Sequence, residues 1–144
     1  MNNTSHATIG MTLLRVITGF IFVAHGWQKY TEYTLAGTQA SFAQMGIPLA
    51  NIAAPAIATL ELIGGLALIL GFLTKPIAAL LTLNMLGALV LVHGAAGLFV
   101  ANNGYELVLI LGAAALTLVL VGPGRISVDH AIFGRTTTKM RALA

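Results

Sequence analysis

The stretch IGMTLLRVITGFIFVAHGWQKY, residues 9–30, decides the fold. It is a nearly unbroken apolar run, and its acidic and basic residues are limited to Arg15, His25 and Lys29. A helix needs about 20 mainly apolar residues to cross ~30 Å of hydrocarbon, at ~1.5 Å per residue. This stretch is long enough. Residues 1–8 carry no Lys or Arg, and no A-x-A cleavage pattern follows, so it reads as a spanning helix and not as a removed signal peptide.

Three more apolar runs follow, over about Ile52–Leu73, Pro76–Phe99 and Tyr105–Val121. The breaks between them have local causes. Thr74-Lys75-Pro76 separates the second and third spans, and proline suits the first turn of a new helix. Asn102-Asn103-Gly104 is a polar turn. Gly122-Pro123-Gly124 stops the fourth span. Pro55 is expected in a first turn, where its missing N–H is harmless. The composition agrees: 58% of the 144 residues are hydrophobic and 8% charged, against about 45–50% and ~25% in soluble domains. The expectation is an all-α integral membrane four-helix bundle, one domain over 1–144, with the lipid bilayer as solvent.

The longest connection, Thr31–Asn51, contains a candidate short helix over Thr38–Met45, ended by Gly46 and Pro48. It reads as an interfacial segment over the mouth of the bundle. Basic residues set the topology. Lys75, Arg125, Arg135, Lys139 and Arg141 fall on one side and Lys29 on the other, which puts both termini in the cytoplasm of a bacterial inner membrane. The net charge of +3 comes mostly from the tail and suits a membrane surface; no nucleic-acid partner is expected. No cysteine is present, so this chain holds no disulfide, thiol catalyst or Cys-ligated metal. Phe133 is expected to be buried at the interface, Asp129 to cap a helix or the tail, and Thr136–Ala144 to fray.

Ionisable groups inside a span are costly and usually face the bundle interior or a wet cavity. Here they are Arg15, His25 and Lys29 in the first span, Glu61 in the second, His93 with the polar Asn84 in the third, and Glu106 at the start of the fourth. At ~1.5 Å per residue, Glu61 lies near the midplane, and the histidines and Glu106 lie in the outer part. A midplane carboxylate must pair with a cation, stay protonated or meet water. Arg15 and Lys29 are the candidate partners. Glu61 is thus either a register-setting charge pair or a proton-handling carboxylate. His25 and His93 are core histidines, groups that bind a redox ligand, or ligands of haem or metal. Against a di-iron site or a zinc hydrolase, no Glu-x-x-His or His-Glu-x-x-His occurs. Lys29 can also snorkel, and Trp27 can sit in an aromatic belt. His25-Gly26 against His93-Gly94, with Glu61 against Glu106, suggests a weak repeat of two hairpins.

The ordered set Leu13-Leu14-Arg15, Gly19, His25-Gly26, Lys29, Gly46-Ile47-Pro48, Glu61, Gly64-Gly65, Gly71, Thr74, His93 and Gly122-Pro123-Gly124-Arg125-Ile126-Ser127-Val128-Asp129 resembles the DoxX family of small four-helix membrane proteins, over about Leu13–Ile132. The resemblance implies a membrane redox role at the quinone pool, beside a soluble redox enzyme as partner. On that reading Glu61, His25 and His93 act on a quinone, Lys29 and Glu106 orient them, Trp27 lies near the ligand, and no metal is needed. Three alternatives stay open. They are a non-catalytic anchor or scaffold, a haem or metal protein, and a small-molecule carrier. A homo-oligomer is compatible with each.

Overall fold

The computed structural model describes residues 3–134, and its order is all-helical. α1 runs Asn3–Thr31, α2 Thr34–Gln44, α3 Ala50–Leu70, α4 Thr74–Ala88, α5 Glu106–Val121 and α6 Val128–Phe133. Among the described residues, three helical segments are long and apolar enough to cross a membrane: Ser5–Thr31, Ala50–Leu70 and Thr74–Ala96. The fourth, Glu106–Val121, is apolar but shorter. α1 packs chiefly on α3, and α4 on α5, with α3–α4 and α1–α5 contacts closing the ring. α1 therefore faces α4 diagonally. The expectations on Phe133 as a buried side chain, on the charges of Arg135, Lys139 and Arg141, and on Thr136–Ala144 lie outside the described residues.

Small residues let α1 and α3 cross closely. A Cβ on Gly65 would stand 2.6 Å from the Gly19 carbonyl oxygen, and one on Gly26 2.5 Å from the Leu62 nitrogen. Backbone cannot yield as a side-chain tip can. Ala54 and Ala58 are fully buried along the same helix. Gly65→Ala is expected to lose about 1–3 kcal/mol, as overpacking does, read as a lower unfolding temperature in detergent. An unchanged melting curve would mean the crossing is loose.

Phe22, Leu68, Leu81, Met85, Leu111 and Leu118 belong to the buried core. Below it, the end of the bundle that carries the α3–α4 turn is locked by the C-terminal segment. Asp129 is fully buried, and its two carboxylate oxygens accept the Leu73 and Thr74 amides at 2.8 Å each. It thus caps α4, as a carboxylate at a helix N-terminus should. Its own amide donates to the Gly71 carbonyl. Arg15 donates to the carbonyls of Pro123 (3.0 Å) and Ile126 (2.8 Å). Gly71, at φ 69°, lies against that guanidinium, where a Cβ has no room.

Four expectations need correction. The first helix starts well before Ile9. The short helix begins at Thr34, four residues earlier than expected. Pro55 lies inside α3, in its second turn. The Asn51 carbonyl that Pro55 cannot satisfy instead accepts Gln39 Nε2 at 3.1 Å, which pins α2 to α3. The third span does not continue as an α-helix to Phe99. It widens to a π turn at Leu89–His93, tightens to a 3₁₀ turn at Gly94–Ala96, and breaks at Gly97, φ 85°. Such turns often mark functional positions.

Candidate functional site

The α2 end of the bundle encloses a cavity of about 710 Å³. Its walls come from α1 (Phe22, His25, Lys29), α2 (Thr38, Phe42, Met45), α3 (Ile57, Leu60, Glu61), α4 and its π turn (Leu83, Asn84, Gly87, His93), and α5 (Leu107, Leu111). The wall is mainly apolar with few polar groups, the usual make-up of a small-molecule site. α2 lies over this end of the bundle and lines the cavity, and Thr38 Oγ1 donates to the Thr34 carbonyl (2.9 Å) while also reaching that of Lys29 (3.3 Å).

Glu61 is the centre of the polar wall. Its side chain is 6% exposed, and one oxygen accepts Lys29 Nζ at 2.5 Å. The other accepts Asn84 Nδ2 at 3.0 Å. Lys29 is thus the partner, and Arg15 is committed to the opposite end. Among the described residues this is the one ion pair. The triad draws on three helices. Asn84 stood in the sequence as a lone amide in an apolar run, but its role as a hydrogen-bond donor to Glu61 was missed. The 23-residue separation gives no sign of contact; only the antiparallel register of α3 and α4 does.

His25 and His93 both line the cavity, from diagonal helices. His93 Nδ1 lies 2.7 Å from the Asn103 carbonyl oxygen. A carbonyl only accepts, so Nδ1 carries the proton of this hydrogen bond, and Nε2 is the ring nitrogen that Asn103 does not engage. Trp27 and Glu106 are not on the cavity wall. Trp27 is 59% exposed on the outside of α1. One Glu106 oxygen accepts the Val100 amide at 2.6 Å, and the Tyr105 and Glu106 amides donate to the Gly97 and Leu98 carbonyls. Glu106 therefore braces the loop that carries Asn103, and so touches the site through His93. The two glycines matched in the weak repeat have different surroundings. Gly26 is a helix-crossing glycine, whereas a Cβ on Gly94 would meet only the Leu89 carbonyl of its own turn. Among the described residues, no three His, Cys, Asp or Glu side chains group as a metal site.

A membrane-embedded helical bundle with a Lys–Glu–Asn cluster, centred on the buried Glu61, on the wall of an apolar cavity defines the class: a small multi-pass protein with a polar site in its interior. The chain belongs to the DoxX family, whose model matches residues 10–94. It is similar to "Putative oxidoreductase CatD" of Bacillus subtilis (strain 168), 35% identical over 125 residues, covering 87% of this chain and 88% of that one. It is also similar to "Inner membrane protein YqjF" of Escherichia coli (strain K12), 32% identical over 122 residues, covering 85% and 91%. No solved structure matches the chain significantly. Apolar helices and membrane-protein relatives make it a multi-pass protein of the inner membrane.

Proposed function

We propose that the protein is a quinone-interacting subunit of an inner-membrane redox system. The observation that carries this reading is the Lys29–Glu61–Asn84 cluster on the wall of a largely apolar cavity. An ionised pair set only to hold helix register has no need of a cavity beside it. A quinone head needs hydrogen-bond partners at its two carbonyls, and a proton for each electron, because a charged ring in hydrocarbon is unfavourable. Glu61 is the proton-exchanging group and Lys29 its counter-ion. His25 and His93 meet the carbonyl or hydroxyl oxygens, His93 through Nε2, the nitrogen that Asn103 does not engage. Glu106 acts at one remove, by holding the loop behind His93. The electrons come from a soluble oxidoreductase partner, because this chain has no cysteine to exchange them through. The name of the B. subtilis relative supports an oxidoreductase setting. The basic bias of Lys75 and the C-terminal residues supports cytoplasmic termini. The α2 end and its cavity mouth then face outward.

The test is equilibrium binding of a short-chain ubiquinone to protein in lipid nanodiscs. Wild type is expected to bind saturably, and Glu61→Gln and His93→Ala to weaken binding about tenfold or more, the ~1.4 kcal/mol of a lost hydrogen bond. Non-saturable uptake, equal in all three proteins, would sink the reading in favour of a non-catalytic anchor. Trp27 emission is a poor probe here, because the indole lies outside the cavity wall.

A further inference from the structure

The cavity wall includes residues of the α3–α4 face of the bundle as well as of α2. Near the locked end α3 and α4 touch: a Cβ on Gly64 would meet Ile77 at 3.3 Å and Leu81 at 3.6 Å. One turn on, Asn84 bridges to Glu61. Beyond that bridge, towards α2, the two helices face each other across the cavity. Ile57 and Leu60 line it from α3, Leu83 and Gly87 from α4, and Leu91 from the π turn that follows it. Leu83 and Leu91 are also 64% and 53% exposed. Side chains that line a cavity and also face the outside of a bundle border an opening, and on this surface the outside is lipid.

Gly87 is the gap in that border. Positions 83, 87 and 91 form one stripe at helical spacing, leucine on either side of a glycine. Glycine is a poor residue for a helix interior. Gly19, Gly26 and Gly65 are accounted for by close backbone crossings, but a Cβ on Gly87 would meet nothing within 4 Å. Packing does not require a glycine here, and a residue this small leaves the gap between Leu83 and Leu91 unfilled.

We propose that the gap between α3 and α4 at Gly87 is a lipid-side portal, through which the cavity takes a quinone bearing a long apolar tail. The inference rests on the quinone reading for the head group. The head sits at Lys29, Glu61 and Asn84, and the tail leaves over Gly87 between Leu83 and Leu91 without crossing the wet mouth. Gly87 is then a specificity-determining position, which admits the tail and plays no part in holding the head.

The experiment compares wild type, Gly87→Ala and Gly87→Trp in nanodiscs, each titrated with a short-chain ubiquinone and with decylubiquinone. Gly87→Trp is expected to weaken decylubiquinone by about tenfold while changing the short-chain compound little, since a clash with the tail leaves the head contacts intact. Gly87→Ala is expected to keep both. A second variant needs no bulky side chain. In this cysteine-free chain, Gly87→Cys is a unique thiol, and decylubiquinone is expected to protect it from a lipid-soluble maleimide where the short-chain quinone or added phospholipid does not. The portal is overturned if Gly87→Trp changes neither ligand or both alike, or if the thiol is protected by all ligands or by none. Wild type that binds the short-chain quinone but fails these comparisons loses only the portal. Wild type that binds no quinone saturably loses the function reading, and the portal with it.

Discussion

Lys29→Met is expected to destabilise the protein more than the loss of one surface charge would. The substitution leaves the Glu61 carboxylate, 6% exposed, inside the membrane with only Asn84 for company. Removing one partner of a buried pair typically costs about 3–5 kcal/mol, because the remaining charge stays desolvated. Lys29 keeps 18% exposure, so some solvent screening puts the loss near the low end of that ~3–5 kcal/mol range. Glu61→Met should cost a similar amount, because it strands the ammonium instead. The double substitution Lys29→Met with Glu61→Met removes both charges and is expected to recover most of the loss. What remains is the Asn84 amide without its acceptor, about 1 kcal/mol. A double-mutant cycle on unfolding in detergent measures this. If the double variant is as unstable as the sum of the singles, the two side chains do not act as a pair. The double variant should also bind no quinone while remaining folded, which separates the pair's chemical role from its structural one.

The second large effect lies at the other end of the bundle. Asp129→Ala removes the acceptor for two backbone amides, those of Leu73 and Thr74, at a site with no exposure. Hydrogen bonds to a charged group contribute about 1.5–3 kcal/mol each. Leu73 also holds a left-handed conformation, φ 47°, which is unfavourable for a leucine and is held in place partly by this cap. A loss of about 3 kcal/mol or more is expected, seen as a lower unfolding temperature and early proteolysis at the 71–74 turn. Quinone binding at the remote cavity should survive in the fraction that stays folded. A change below ~1 kcal/mol, the size of an ordinary surface cap, would mean that the C-terminal segment is a passenger on the bundle. Asp129 read as a capping residue in the sequence, yet the helix it caps starts 55 residues earlier.

Hydropathy alone made the architecture legible. Runs such as residues 9–30 can hide their backbone and side chains from water only as membrane helices, and this constraint is local to each run. The stops at Gly46 and Gly122 were legible for a different local reason, since a positive φ calls for glycine. So was the short list of ionisable residues that lipid would not tolerate without a purpose. The helix bounds were less so. The π turn before His93 has no composition that marks it, because apolar residues suit π and α turns alike.

The sequence by itself determined that this is a helical membrane bundle of the DoxX kind, with a few buried polar groups to explain. Only the tertiary structure decided which of them act together. Glu61 and Glu106 look alike in the chain, each followed by leucine. One meets Lys29 and Asn84 across two neighbouring helices, and the other turns back to cap a loop. Arg15 and Lys29 lie on one helix, only fourteen positions apart. That is about 21 Å at ~1.5 Å per residue, most of the bilayer's depth, and each finds its partner at its own end. Partner choice depends on helix rotation, register and depth. These are set by close crossings such as Gly19 on Gly65, and they follow from the packing of whole helices, not from any short stretch of chain.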